Sequence, residues 1–162
     1  MFLDSITGLS EAQWNFKPGP EVWSVGEVAE HIALSEDMLF SRITAEILKS
    51  QPALENKAQA AGRDEAILKM IPDRSQKFKA PEPLVPKRRW ASQRELVAHF
   101  DQSRARTARY LETTQEDLRS HFGQHPAGLL DAYQWFLLIS AHTERHTAQI
   151  REVKAHAGFP AK

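Results

Sequence analysis

Asp131-Ala-Tyr-Gln-Trp135-Phe-Leu-Leu-Ile139-Ser-Ala-His142-Thr-Glu-Arg-His146-Thr-Ala-Gln149-Ile-Arg-Glu-Val153 is the stretch on which the reading of this chain turns. Trp135, Ile139, His142, His146, Gln149 and Val153 recur at intervals of three and four, the period of one helix face. Asp131 can cap the start, with Gln134 at the third helical position, and Gly158 and Pro160 stop the run. The pattern predicts a helix from about Ala132 to His156. Its inward stripe is apolar except in the middle, where two histidines sit one turn apart.

Working outward, the same grammar recurs. Ser24-Val-Gly-Glu27 has capping-box spacing, and Trp23 and Val28 are placed for a hydrophobic staple. A helix follows from about Val25 to Lys49, with Val28, Ile32, Leu39, Ile43 and Ile47 on one face. Ser92-Gln-Arg-Glu95 opens another, with Leu96, Phe100, Ser103, Thr107 and Leu111 at helical spacing, fading near Phe122. Residues 2–7 suit a short helix ending at Gly8, and Ser10-Glu-Ala-Gln13 caps one further turn. Between 50 and 90 the chain is irregular. A short helix over 63–71 is stopped by Pro72, and Pro81, Pro83 and Pro86 lay down an extended connection. So long a connection inside a compact domain tends to lie across the bundle and cover something. Pro126-Ala-Gly128 reads as a turn, and no strand-like alternation or internal repeat is visible. These elements predict an all-α fold over 1–162: one domain, a four-helix bundle with a long crossover connection between helices two and three.

Composition narrows the function classes. The 162 residues carry 21 Lys plus Arg against 21 Asp plus Glu, so the basic excess of a nucleic-acid binder is missing. With no cysteine, any metal site must use His, carboxylate, main-chain oxygen or water, and a protein thiol nucleophile is excluded. The longest apolar run, Trp135–Ile139, is far short of the roughly 20 residues of a membrane span. A cytoplasmic location is expected. Met1 opens straight into an apolar helical stretch, so an exported form with a trimmed leader is the alternative.

Of seven histidines, three stand out. His142 and His146 emerge from one helix face a turn apart, a spacing that lets two imidazoles grip one ion. His31 shares an inward face with Val28, Ser35 and Met38 near the start of helix two. If the two helices are neighbours, three imidazoles converge and can hold one divalent ion such as Zn, Ni or Fe, with at least one coordination position open. An i,i+4 histidine pair also arises on helices that bind nothing, and a lone inward histidine is often a hydrogen-bonded core residue. His99, His121, His125 and His156 read as surface or turn residues.

Three stretches together resemble the DinB-like superfamily of metal-binding four-helix bundles. They are Trp23-Ser-Val-Gly-Glu-Val-Ala-Glu-His31-Ile, Ala80-Pro-Glu-Pro-Leu-Val-Pro86 followed by Phe100-Asp-Gln-Ser-Arg104, and His142-Thr-Glu-Arg-His146-Thr-Ala-Gln149-Ile. The similarity runs from about Leu9 to Gly158. It implies that His31, His142 and His146 are the metal ligands, that the bundle has an unusual helix order, and that the protein forms a homodimer. It also implies a reaction drawn from a family of thiol S-transferases using bacillithiol or mycothiol, a mycothiol-dependent isomerase and the metal-binding domain of sulfoxide synthases. The sulfoxide-synthase pattern resembles His-x-x-x-His-x-Glu, and position 148 here is Ala. The first helix is also shorter than the family's.

Three functions follow from such a site. In the first, a small-molecule thiol held as thiolate attacks an electrophile; Arg104 would meet a substrate carboxylate or form a surface salt bridge, and Gln149 would orient a ligand or water or tie helices together as a buried amide. In the second, a metal-hydroxide hydrolase, a general base is needed. No convincing inward carboxylate offers itself, Glu27 reads as a cap, and Glu144 and Arg145 read as a solvated face. In the third, the bundle is a non-enzymatic metal-binding or stress-linked dimer module.

Overall fold

Side-chain caps set where most of the helices begin. In the computed structural model, which describes residues 1–161, Ser10, Ser24 and Asp131 each accept from the main-chain N–H three residues on. Gln13, Glu27 and Gln134 reach back to the cap's own N–H, closing three capping boxes. Each such cap is worth about 1 kcal/mol. Ser92 caps the N–H of Glu95, but the Glu95 carboxylate accepts from Ala91 rather than Ser92, so only half of the box expected there forms.

The helices are α1 (Phe2–Ile6), α2 (Glu11–Asn15), α3 (Val25–Ala45), α4 (Lys57–Ala60), α5 (Asp64–Met70), α6 (Gln93–Thr113) and α7 (Ala132–Lys154), with three short 3-10 turns between them. Three long helices carry the bundle, and the fourth side is made of short pieces packed on α7 and α3. Pairings along α3 and α6 advance together: Glu36 meets Thr107, and Phe40 meets Tyr110. The two helices are therefore parallel. A parallel pair cannot be joined by a tight turn, which is why 46–92 is a long crossover. Helix α7 runs antiparallel to both.

The structure corrects the chain between α6 and α7. The helix expected to fade near Phe122 ends at Thr113, and Leu111 is 40% exposed rather than core. A two-stranded antiparallel hairpin follows, β1 (Phe122–His125) and β2 (Gly128–Asp131), in register Phe122 with Asp131 and His125 with Gly128. It lies so close to the bundle that a Cβ at Gly123 would stand 2.7 Å from Ile47 and 2.9 Å from the Trp135 indole. The Trp135 N–H donates to the Gly123 carbonyl, and the Arg63 guanidinium donates to the carbonyls of Ala127 and Leu129.

The buried apolar residues fall into two clusters at opposite ends. One joins Phe2, Ile6, Val28, Ile32, Phe100 and Ile150; the other joins Leu39, Ile43, Ile67, Trp135, Phe136 and Ile139. Between them, on all three long helices, runs a polar belt: His31, Ser35 and Glu36 on α3, Ser103 and Thr107 on α6, and His146 and Thr147 on α7. No helix among the described residues is long and apolar enough to cross a membrane.

Candidate metal centre

The belt brings together the three histidines singled out by their positions. One ring nitrogen from each of His31, His142 and His146 lies within 4.8 Å of the other two. The Nε2 atoms of His31 and His142 are 3.4 Å apart. Ring centroids are 4.4 Å apart for His142 and His146 and 4.5 Å for His31 and His146. Two nitrogens bound tetrahedrally at about 2.0–2.1 Å from one ion sit about 3.3 Å apart, so the closest pair already has the spacing of ligands.

The outer nitrogens orient two of the rings. The Leu84 carbonyl can only accept, so His31 donates to it through Nδ1–H at 2.9 Å. That leaves the His31 Nε2 lone pair facing the cluster. His146 donates through Nδ1–H to Gln149 Oε1 at 2.8 Å, and Arg74 also donates to that oxygen at 3.4 Å. Arg74 is held in turn by two 2.7 Å bonds to Glu152. Gln149 therefore orients the His146 ring.

All three imidazoles are neutral at pH 7. Burial lowers His31 below the ordinary histidine value, against the opposing pull of its bond to Leu84. Burial, then the neighbouring His146 and His31, puts His142 well below it. Burial, then His31, takes His146 to about 3. The other charged groups that act on His142 and His146 are cationic or histidine: Arg145, Arg74 and His125. Neutral nitrogen donors in a polar belt, with lone pairs turned inward, fit a divalent borderline ion. The cluster is a group able to hold one; its geometry does not select which.

Other residues take different places from those expected. Arg104 does not face the cluster openly. Its Nη2 lies 2.8 Å from Glu36 Oε2 and 2.8 Å from Thr143 Oγ1, tying α6 to α3 and α7. The Glu36 side chain is fully buried and also accepts from Thr107 at 2.7 Å. Glu36 and Glu30 are thus inward carboxylates that periodicity did not flag, because both sit beside the apolar stripe of α3. Arg145, read as solvated, is 8% exposed and donates to the carbonyls of Ile71, Asp73 and Gln76. Those carbonyls belong to a loop with no strand or helix partner, and a long cation on the flank of α7 satisfies them. His99 pairs with Asp37 at 2.6 Å, and His125 packs edge-on against Trp135.

Comparison with known proteins places the chain in a family. The uncharacterized protein YuaE of Bacillus subtilis (strain 168) is 29% identical over 152 residues, covering 93% of this chain and 89% of the relative. No solved structure matches. A family model described as the DinB superfamily matches residues 1–150, nearly the whole bundle including all three histidines, and the chain belongs to that superfamily.

Proposed function

We propose that this protein is a metal-dependent enzyme that transfers a low-molecular-weight thiol to an electrophile. The observation that supports it is a cluster of three buried, neutral imidazoles able to hold one ion. A divalent ion held by His31, His142 and His146 would leave an open position in which a thiol loses its proton and is kept as thiolate. The chain has no cysteine, so the sulfur must come from a cosubstrate. The sulfur forms a C–S bond to the electrophilic carbon, the leaving group departs with its electron pair, and the thiol proton passes to solvent. His31 and His146 are oriented by Leu84 and Gln149 and serve as ligands, not bases. Hydrolysis is the weaker reading because Glu30 is taken up by the main chain of 87–89, and Glu36 is ion-paired to Arg104 and accepts from Thr107 through Oε1, leaving only Oε2 without a hydrogen bond. The same proposal takes the working unit to be a cytoplasmic homodimer of single-domain chains.

Elemental analysis of tag-free protein tests the site, beside a His31→Ala, His142→Ala, His146→Ala variant. Near one divalent ion per chain in the parent and none in the variant is expected. No ion in the parent after incubation with zinc and nickel would end the enzyme reading. In loaded protein, consumption of an epoxide or alkyl halide that depends on added thiol is expected. Ester hydrolysis without thiol would move the assignment to a metal-hydroxide hydrolase.

A further inference from the structure

Residues 81–89 form a strap across α3, and two consecutive residues of that helix grip it. His31 donates to the strap's Leu84 carbonyl at 2.9 Å. Glu30, one residue earlier, takes the strap's amides. Its Oε1 accepts from Lys87 N–H at 2.9 Å and Arg89 N–H at 3.3 Å, and its Oε2 from Arg88 N–H at 2.9 Å. The Arg89 guanidinium adds a bond to Glu30 at 3.3 Å and bonds to the carbonyls of Val85 and Pro83, closing the strap on itself. Glu30 is 4% exposed. Three successive N–H groups turned onto one carboxylate require an unusual backbone. Arg88 supplies it with φ of 58°, the only positive φ at a non-glycine position among the described residues. A β-carbon in that region costs roughly 1–2 kcal/mol, so the contact that holds it must repay more.

We propose that Glu30 is a positioning residue of the metal centre: by clamping the amides of 87–89 it fixes the Leu84 carbonyl, which in turn holds His31 as the Nδ1–H tautomer with Nε2 free to bind metal. The inference rests on the metal centre proposed above. Glu30 touches no ring of the cluster. It acts through the strap, and the link is the two residues Val85 and Pro86 between Leu84 and Lys87. A carboxylate is needed because its partners are all donors. An amide at position 30 would turn an NH2 group toward one of them, releasing the strap on that side. With the Leu84 carbonyl displaced, the Nδ1–H of His31 loses its acceptor. The proton then shifts to Nε2, where it faces His142 Nε2 at 3.4 Å and blocks coordination.

The test is Glu30→Gln, read two ways. Long-range proton–nitrogen NMR of the apo protein reports the tautomer of His31, and a competition titration with zinc reports affinity. The parent should show the Nδ1–H form alone. The variant should show a mixture with Nε2–H and bind zinc roughly 10- to 100-fold more weakly, the usual loss when an outer partner of a ligating histidine is removed. An unchanged tautomer and affinity beside a lowered melting temperature would make Glu30 a structural residue only and overturn the proposal. If the parent takes up no zinc, the metal centre falls. The tautomer of the apo protein then decides alone whether Glu30 controls His31: a shift supports the coupling and no shift overturns it. Should Glu30→Gln fail to fold, Arg89→Gln removes only the partly exposed guanidinium from the clamp. It should move the tautomer in the same direction by less, and no movement counts against the proposal.

Discussion

Zinc binding to this cluster should release fewer protons at pH 6 than the roughly two that an ordinary trio of histidines would give up. A histidine at the unperturbed value near 6.5 is about three-quarters protonated at pH 6, and it must lose that proton before its nitrogen can bind. Three such residues therefore give up roughly two protons per ion. Here every one of the three is lowered: His31 by burial, His142 by burial and its two neighbours, and His146 to about 3. A lowered pKa means that the neutral form persists to lower pH, so the sign is unambiguous. At pH 6 His146 is already deprotonated, and His31 and His142 are shifted in the same direction, so the ion has fewer protons to displace. The proton count follows from titration calorimetry in two buffers of different ionisation enthalpy, since the difference in observed heat scales with protons released. Working at pH 6 also stays below the value of about 7 for zinc-held water, which keeps that group out of the count. Release clearly below two protons per ion, with an affinity less dependent on pH between 6 and 7.5 than ordinary histidines would give, is expected. Release of two protons per ion would show that the histidines titrate as exposed groups, and the buried, inward-facing cluster would be refuted.

Binding should also appear as stability. With free zinc at 100 times its Kd the folded state gains about 2.7 kcal/mol, which for a chain of this size raises Tm by roughly 5–10 °C. His146→Ala should abolish that shift while leaving the helical circular dichroism intact, and an undiminished shift would remove His146 from the ligand set. Away from the cluster, Arg145→Met should cost about 3 kcal/mol, because charge-assisted bonds to three loop carbonyls are lost at a buried position. The expected readout is a Tm lower by roughly 6–12 °C, with new protease cleavage within 71–80. A melt within a degree or two of the parent would restore Arg145 to the solvent.

What was legible in the sequence was what repeats along a helix. The caps at Ser24 and Asp131 and the stripes behind them located α3 and α7 to within a few residues, and the same stripes placed the histidines inward. Periodicity reports one face at a time, though, and α7 is packed on more than one side. Its neighbours include α1 and α5 as well as α3, so Arg145 lies off the stripe that faces α3 and is buried all the same. Glu36 was hidden for a related reason. Its burial depends on Arg104 and Thr107 of a helix some seventy residues away, and no local pattern announces a partner at that distance. The hairpin at 122–131 is illegible on different grounds. Four-residue strands containing Gly123 and Gly128 show no alternation, and what selects Gly123 is contact with Ile47 and Trp135 rather than strand preference.

The charged residues whose burial the sequence did not announce share a role. Arg104, Arg145, Glu30 and Glu36 are all charged, all partly or fully withdrawn from water, and all bonded to partners distant in the sequence. Replacing a buried ion pair by apolar groups is often neutral or stabilising, whereas removing one partner is costly. The Glu36–Arg104 pair is therefore poorly explained by stability alone. Three of the four residues adjoin the proposed metal ligands: Glu30 precedes His31, Arg145 precedes His146, and Arg104 bonds to Thr143 beside His142. Each secures backbone or a neighbouring helix next to one histidine. A cluster built from two antiparallel helices needs its rings held to a fraction of an ångström, and apolar side chains that slide over one another cannot provide that. On this argument the polar belt between the two cores gives up some packing energy for rigidity at the three imidazoles. Charge-to-apolar changes in the belt should then loosen metal binding even where they leave the fold as stable as before.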